Sequence, residues 1–147
     1  MHDHRFPSSI SLRLDWSELD MFGHINNVMY FKYLQASRVN YWELIGLDQM
    51  APGKGTGPLL ASTHCDFRKP LFYPGNITVQ ASMAFMKNSS FGVYHRVLND
   101  AGELAAEGHD VIVLFDYGRG EKISIPLSLR STVEALEDRS FPVPANS

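Results

Sequence analysis

Along residues 10–16, Ile10, Leu12, Leu14 and Trp16 alternate with Ser11, Arg13 and Asp15, the period-two pattern of a half-buried strand. The next stretch, 17–27, has no clean period. It contains Gly23 and ends in Asn26 and Asn27, side chains suited to capping a helix, so it reads as a loop feeding one. A 3.6-residue period then runs from 27 to 45, placing Tyr30, Tyr33, Leu34, Ser37, Tyr41, Leu44 and Ile45 on one uncharged face before Gly46 supplies a stop. Such a helix is about 28 Å long. Its other side mixes Val28, Phe31, Val39 and Trp42 with Lys32, Gln35, Arg38 and Glu43, more apolar than a solvated face requires, so part of both sides is expected to be covered.

Residues 51–58 hold three glycines and two prolines and read as a mobile connection. Four extended runs follow at 59–69, 77–87, 91–98 and 103–116, separated by Pro74-Gly75-Asn76, Asn88-Ser89-Ser90 and Asn99-Asp100-Ala101-Gly102. The short connections imply antiparallel pairing, and Gly108 within the last run suggests a bulge or bend. After Ile125-Pro126, residues 127–136 have helical spacing, and 141–147 form a loose tail. One strand, one long apolar helix and four more strands make an α+β arrangement in which the helix buries its face against the sheet.

The chain has 147 residues, which fits one domain over 1–147 with tails at about 1–8 and 139–147. A net charge of −3 gives no electrostatic reason to expect nucleic acid or an anionic membrane as partner. No run approaches the roughly 20 apolar residues of a membrane span. The single cysteine, Cys65, excludes an internal disulfide, and Met1-His2-Asp3-His4-Arg5 lacks the apolar run of a signal peptide, so a cytoplasmic location is expected.

Common catalytic templates are missing. There is no Gly-x-Ser-x-Gly elbow, no P-loop and no dinucleotide-binding glycine motif. His64, Cys65 and Asp66 are adjacent on a strand and alternate faces, so they cannot converge on one metal ion. What remains is Asp20-Met21-Phe22-Gly23-His24-Ile25-Asn26-Asn27, a carboxylate and a flexible glycine leading into a helix start. Helix starts present unpaired N–H groups and positive potential. A loop that folds Asp20 back onto that start would hold a polarised carbonyl between the two, a minimal arrangement for acyl transfer; equally, Asp20 would simply stabilise the helix start.

Residues 13–38, RLDWSELDMFGHINNVMYFKYLQASR, resemble the start of hotdog-fold acyl-CoA thioesterases of the 4-hydroxybenzoyl-CoA thioesterase type. The core is Asp, two residues, Gly-His, one residue, Asn-Asn, then an aromatic-rich helix ending in a small residue and Arg. Weaker matches are Phe67-Arg68-Lys69-Pro70, the Asn88-Ser89-Ser90 turn and Ile125-Pro126. The resemblance implies a five-stranded antiparallel sheet wrapped around the long helix, with a short C-terminal helix. It further implies a homodimer or homotetramer with its site between protomers, and hydrolysis of an acyl-CoA whose CoA belongs to the substrate, with no cofactor and no metal. The family's catalytic carboxylate falls on Asp20, as nucleophile or general base, and the carbonyl-polarising N–H falls near Asn27. The remaining residues stay open. His24 orients Asp20 or a water, or bonds backbone groups as an ordinary loop histidine. Glu18 raises the pKa of Asp20 or is simply solvated. Tyr30 and Tyr33 read as core or interface aromatics. Arg68, Lys69, Lys87, Ser89 and Ser90, at strand ends, are the candidates for the CoA phosphates. Two rival readings are a hydroxyacyl-thioester dehydratase using His24 and Asp20, and a non-catalytic acyl-CoA-binding module.

Overall fold

The computed structural model describes residues 6–49 and 55–145. Its elements run β1 (Ser8–Arg13), a 3-10 turn (Trp16–Glu18), α1 (Asn27–Ile45), a second 3-10 turn (Leu47–Gln49), β2 (Thr56–Phe67), β3 (Asn76–Met86), β4 (Ser90–Leu98), β5 (Leu104–Asp116), β6 (Glu121–Lys122) and α2 (Leu127–Glu137). All strand pairs are antiparallel, in the order β1-β3-β4-β5-β2, with the two-residue β6 added on β5. The expected α+β architecture of antiparallel sheet, long helix and short C-terminal helix is the one found.

The sheet's inner face carries Ile77, Val79, Ala81 and Met83 of β3, Phe91, Val93 and Val97 of β4, and Ile112 and Leu114 of β5. They pack against Tyr33, Leu34, Tyr41 and Ile45 of α1. Phe141, expected in the loose tail, is buried in that core. So is Ser8, at the start of β1, whose hydroxyl accepts from the Asn40 side chain at 2.8 Å. The helix bounds match the sequence reading; several strand bounds do not. β1 ends at Arg13 instead of running to residue 16, because Asp15 and Glu18 form a reciprocal capping box that winds Trp16–Glu18 into the 3-10 turn. Trp16 consequently faces solvent, 71% exposed. The connection read at 51–58 is shorter than expected, since Thr56–Phe67 is strand; residues 50–54 lie outside the described residues.

Gly108 is not a bulge. It pairs in register with His95 on one side and Cys65 on the other, and the irregularities fall instead between Leu60 and Ser62, Met83 and Phe85, and Val97 and Leu98. Its reason is packing, because a Cβ there would stand 2.6 Å from Leu34 of α1, inside van der Waals contact.

Beside that contact the core holds a polar knot that sequence patterning did not anticipate. His95 Nδ1 is 2.9 Å from Ser37 Oγ, and His95 Nε2 is 2.7 Å from Asp110 Oδ2. Arg38 donates to both Asp110 oxygens, at 2.9 and 3.2 Å, and Thr63 Oγ1 donates to Oδ1 at 2.8 Å. A neutral imidazole fits: Nε2–H donates to Asp110 while Nδ1 accepts from Ser37, and four donors saturate the carboxylate. Ser37 and His95 are fully buried, so this Ser-His-Asp set ties α1 to β2, β4 and β5 and is closed to any substrate.

Burial alone would raise the Asp110 carboxyl, but hydrogen bonds from His95 and Arg38, with the Arg38 charge, outweigh it and hold the pKa at about 2, below the ordinary 3.8. The resulting stabilisation is complete above the ordinary value and is lost as pH falls towards 2. Asp110→Asn is expected to lose about 3–5 kcal/mol at neutral pH, since it strands the buried partners, and its stability should fall less steeply than the wild type's between pH 4 and 2. Urea unfolding across that range measures both effects.

Candidate active site

The loop between the first 3-10 turn and α1 is closed by its own backbone. Asp20 N–H donates to the His24 carbonyl at 2.7 Å, Gly23 N–H to the Asp20 carbonyl at 3.2 Å, and Leu19 bridges Ile25. Gly23 sits at φ +84°, a conformation that L side chains adopt only with strain, and this lets the chain reverse within four residues. The reversal brings the His24 and Phe22 amides onto one oxygen, Asp20 Oδ1, at 3.1 and 2.9 Å. Oδ2 receives no hydrogen bond among the described residues. At the tip, Met21 and Phe22 are largely exposed.

α1 begins where this loop ends. The Asn26 side chain caps it by accepting from Val28 N–H at 3.0 Å, and the Asn26 carbonyl accepts from Met29 N–H at 2.9 Å. That leaves the N–H of Asn27, first residue of the helix, without an intrahelical acceptor and at the positive end of the dipole. Asp20, His24, Ile25 and Asn27 form one wall of a cleft of about 320 Å³; Phe67, Arg68, Lys69 and Pro70, at the end of β2, form the other.

Sequence reasoning thus named five of the eight residues around this cleft: Asp20, His24, Asn27, Arg68 and Lys69. The His24 backbone holds Asp20, while its ring stacks edge-on against Phe72 at 5.2 Å. Arg68 pairs with Glu107 at 3.0 Å and Lys69 with Glu103 at 2.5 Å, so both cations are present at the rim but engaged. Lys87, Ser89 and Ser90 are not brought here. They form the β3–β4 turn, with Lys87 N–H donating to the Ser90 carbonyl at 2.7 Å. Val113 pairs with Ser90 on one side and Leu59 on the other, so this turn lies level with Leu59, about 26 Å along the sheet from Phe67. His64 and Asp66 share a side-chain contact of 3.0 Å, whereas Cys65 packs inward against the core, and among the described residues no three His, Cys, Asp or Glu groups form a candidate metal site.

Glu18 is buried, not solvated. It is 4% exposed, and its carboxylate accepts from Asp15 N–H at 2.9 Å, Tyr33 Oη at 2.8 Å and Lys32 Nζ at 2.9 Å. Burial pushes this carboxyl up, but those three donors outweigh it and hold it below the usual range. The D-x-x-E spacing of Asp15 and Glu18 was the available signal for this burial. Tyr33 is buried, as expected for a core aromatic, and spends its hydroxyl on Glu18.

Residues 14–136 match the model of the thioesterase-like superfamily, and the chain belongs to that family. It is 29% identical over 119 residues to the uncharacterized protein YsmA of Bacillus subtilis (strain 168), covering 81% of this chain and 78% of that one. A thioesterase of Thermus thermophilus whose structure was solved with coenzyme A and Zn superposes with a TM-score of 0.82 at 26% identity, covering 95% of this chain and all of that one. The PA5185 protein of Pseudomonas aeruginosa strain PAO1 superposes at 0.78 with 27% identity, over 93% and 95% of the two chains. Family and neighbours together support thioester hydrolysis as the general chemistry.

Because Gly23 needs its positive φ, Gly23→Ala is expected to cost about 1–2 kcal/mol, with nothing within 4 Å of the new methyl group to clash. A thermal melt measures the loss.

Proposed function

We propose that the protein hydrolyses an acyl-CoA thioester to a carboxylic acid and free CoA, in the manner of the 4-hydroxybenzoyl-CoA thioesterase type. The observation that carries this reading is the cleft pairing of Asp20, one oxygen held by two amides and the other, among the described residues, unengaged, with the amide at the start of α1. The thioester carbonyl oxygen accepts from Asn27 N–H, where the helix dipole favours the developing negative charge. Asp20 Oδ2 then either takes a proton from water as the resulting hydroxide adds to the carbonyl carbon, or adds to that carbon itself to form an anhydride that water opens. In both routes the C–S bond breaks, CoA leaves as the thiolate and is protonated, and the acyl group departs as the acid. CoA is part of the substrate, and these steps require no separate cofactor.

Arg68 and Lys69 at the cleft rim suit the CoA phosphates, and exchanging Glu107 and Glu103 for phosphate oxygens keeps each cation paired. The structure solved with coenzyme A in a relative supports CoA as the carrier group. Lys87, Ser89 and Ser90 join the site through a second copy. β2 is a sheet edge, and its residues 59–64 are exposed. Two such edges paired antiparallel about a twofold axis set the Leu59 end of one copy beside the Phe67 end of the other, carrying the partner's turn towards this cleft. Val28 and Phe31 of α1 are exposed apolar residues that such an association could cover.

A panel of short, long and aromatic acyl-CoAs, assayed for thiol release, tests the reaction. Wild type is expected to release CoA from at least one of them, and Asp20→Asn to lose about 10²- to 10³-fold or more in kcat with fold and oligomer intact. Full activity in that variant would refute the assignment of Asp20. Light scattering should give an even multiple of 16.5 kDa; a monomer in solution would remove the second copy from the site.

A further inference from the structure

Glu18 is a buried carboxylate beside the cleft that the hydrolysis just described does not use. Its side chain reaches the second turn of α1 through Tyr33 and Lys32, and its Oε1 also closes the preceding turn through Asp15 N–H. Its carbonyl accepts from Asn26 N–H, the capping residue, at 2.8 Å. Side chain and main chain of one residue therefore grip the helix at two heights. Two residues further on stands Asp20, in a loop that the Leu19–Ile25 bridge and the Asp20–His24 backbone bond close on itself.

We infer that Glu18 is a positioning residue: it clamps the 19–25 loop to the first two turns of α1 and so sets where the Asp20 carboxylate stands relative to the Asn27 amide. Nothing else among the contacts described fastens the first 3-10 turn to the helix through a buried side chain. The tip at Met21 and Phe22 is exposed, and the loop's other anchors, Ile25 N–H on the Leu71 carbonyl at 2.9 Å and the His24–Phe72 bridge, tie it to the segment after β2 and not to α1. Glu18 does not line the cleft, so it acts on the chemistry only through the placement of Asp20. A misplacement of about 1 Å between reacting groups is enough to cost about 100-fold in rate. Arg68 and Lys69 stand on the other wall, pair with Glu107 and Glu103, and make no bond to Glu18. The catalytic consequence rests on the acyl-CoA reading; the mechanical one does not.

The test compares wild type, Glu18→Gln and Tyr33→Phe. Glu18→Gln keeps the shape but removes the charge that holds Lys32; Tyr33→Phe removes one donor and serves if Glu18→Gln does not fold. Two measurements are made on each: steady-state thiol release, and amide hydrogen exchange of residues 19–26 against the β3 and β4 amides. The expected result for Glu18→Gln is a fall in kcat of about 10- to 100-fold with KM within about threefold, and exchange at Asp20, Ile25 and Asn26 at least about tenfold faster while the sheet is unchanged. Tyr33→Phe should move both readouts in the same direction by less. Unchanged loop exchange in a folded Glu18→Gln protein overturns the clamp. Faster exchange with unchanged kcat overturns its link to Asp20. If wild type hydrolyses none of the panel, the acyl-CoA reading falls, and the exchange arm still decides whether Glu18 holds the loop.

Discussion

The site depends on how close, and at what axial position, a single helix lies against the sheet. Closeness comes from Gly108, whose missing side chain lets Leu34 approach β5 to a distance no other residue allows. Axial position comes from the polar knot. Apolar side chains trade neighbours readily when a helix slides, whereas hydrogen bonds from Ser37 and Arg38 to His95 and Asp110 survive only at one setting. An α-helix is stiff, so fixing Arg38 fixes Asn27, about 16 Å nearer the start of the rod. The amide offered at the cleft is positioned by contacts far from it.

Each buried carboxylate in this end of the molecule has its own cation and a nearly full set of donors: Asp110 with Arg38, Glu18 with Lys32. Leaving either unpaired would cost several kcal/mol, which is why burial is tolerated only with such complete satisfaction. Asp20 is treated differently. It has two amides on one oxygen and, among the described residues, no ion pair. A carboxylate held in orientation but left incompletely solvated is suited to chemistry, while the saturated ones serve to hold the scaffold.

Much of this was legible in the sequence because it is local. The helix spanning 27–45 follows from apolar period and caps, the antiparallel sheet from short turns between extended runs, and the cleft's Asp20, His24 and Asn27 from their place in one eight-residue loop. Arg68 and Lys69 reach the cleft because β2 ends there. What escaped depends on contacts between residues distant in the chain. A glycine read as a bulge is a contact point for a helix more than 70 positions earlier. His95 and Asp110 sit at inward positions of apolar strands and look, in sequence, like ordinary interruptions of the pattern. From its neighbours in the chain Glu18 looks like a solvated charge, while the partners that bury it, Lys32 and Tyr33, lie in the following helix. Strand β1 was overextended for a local reason, since the capping box of Asp15 and Glu18 interrupts an alternation that the residue types alone continue.

On the acyl-CoA reading, the remaining sequence feature, a basic and hydroxyl-bearing turn at Lys87–Ser90, finds its use in the geometry of β2. The strand's Phe67 end borders the cleft and its Leu59 end lies level with that turn, so within one chain the turn is a whole strand length out of reach. A twofold axis through an antiparallel edge pair exchanges the two ends. In the proposed dimer the partner's copy of the turn would thereby come to the end of β2 that carries Arg68 and Lys69, and the site would gain cations from both chains. Unpaired edges invite unwanted association unless they are blunted by charge, proline or a bulge, and β2 carries only the irregularity between Leu60 and Ser62 in its apolar part. The exposed part of β2 beyond Pro58 carries Leu59, Leu60 and Ala61 and neither charge nor proline until His64. In the proposed dimer, pairing with a second copy would cover this edge and complete the cleft in one step.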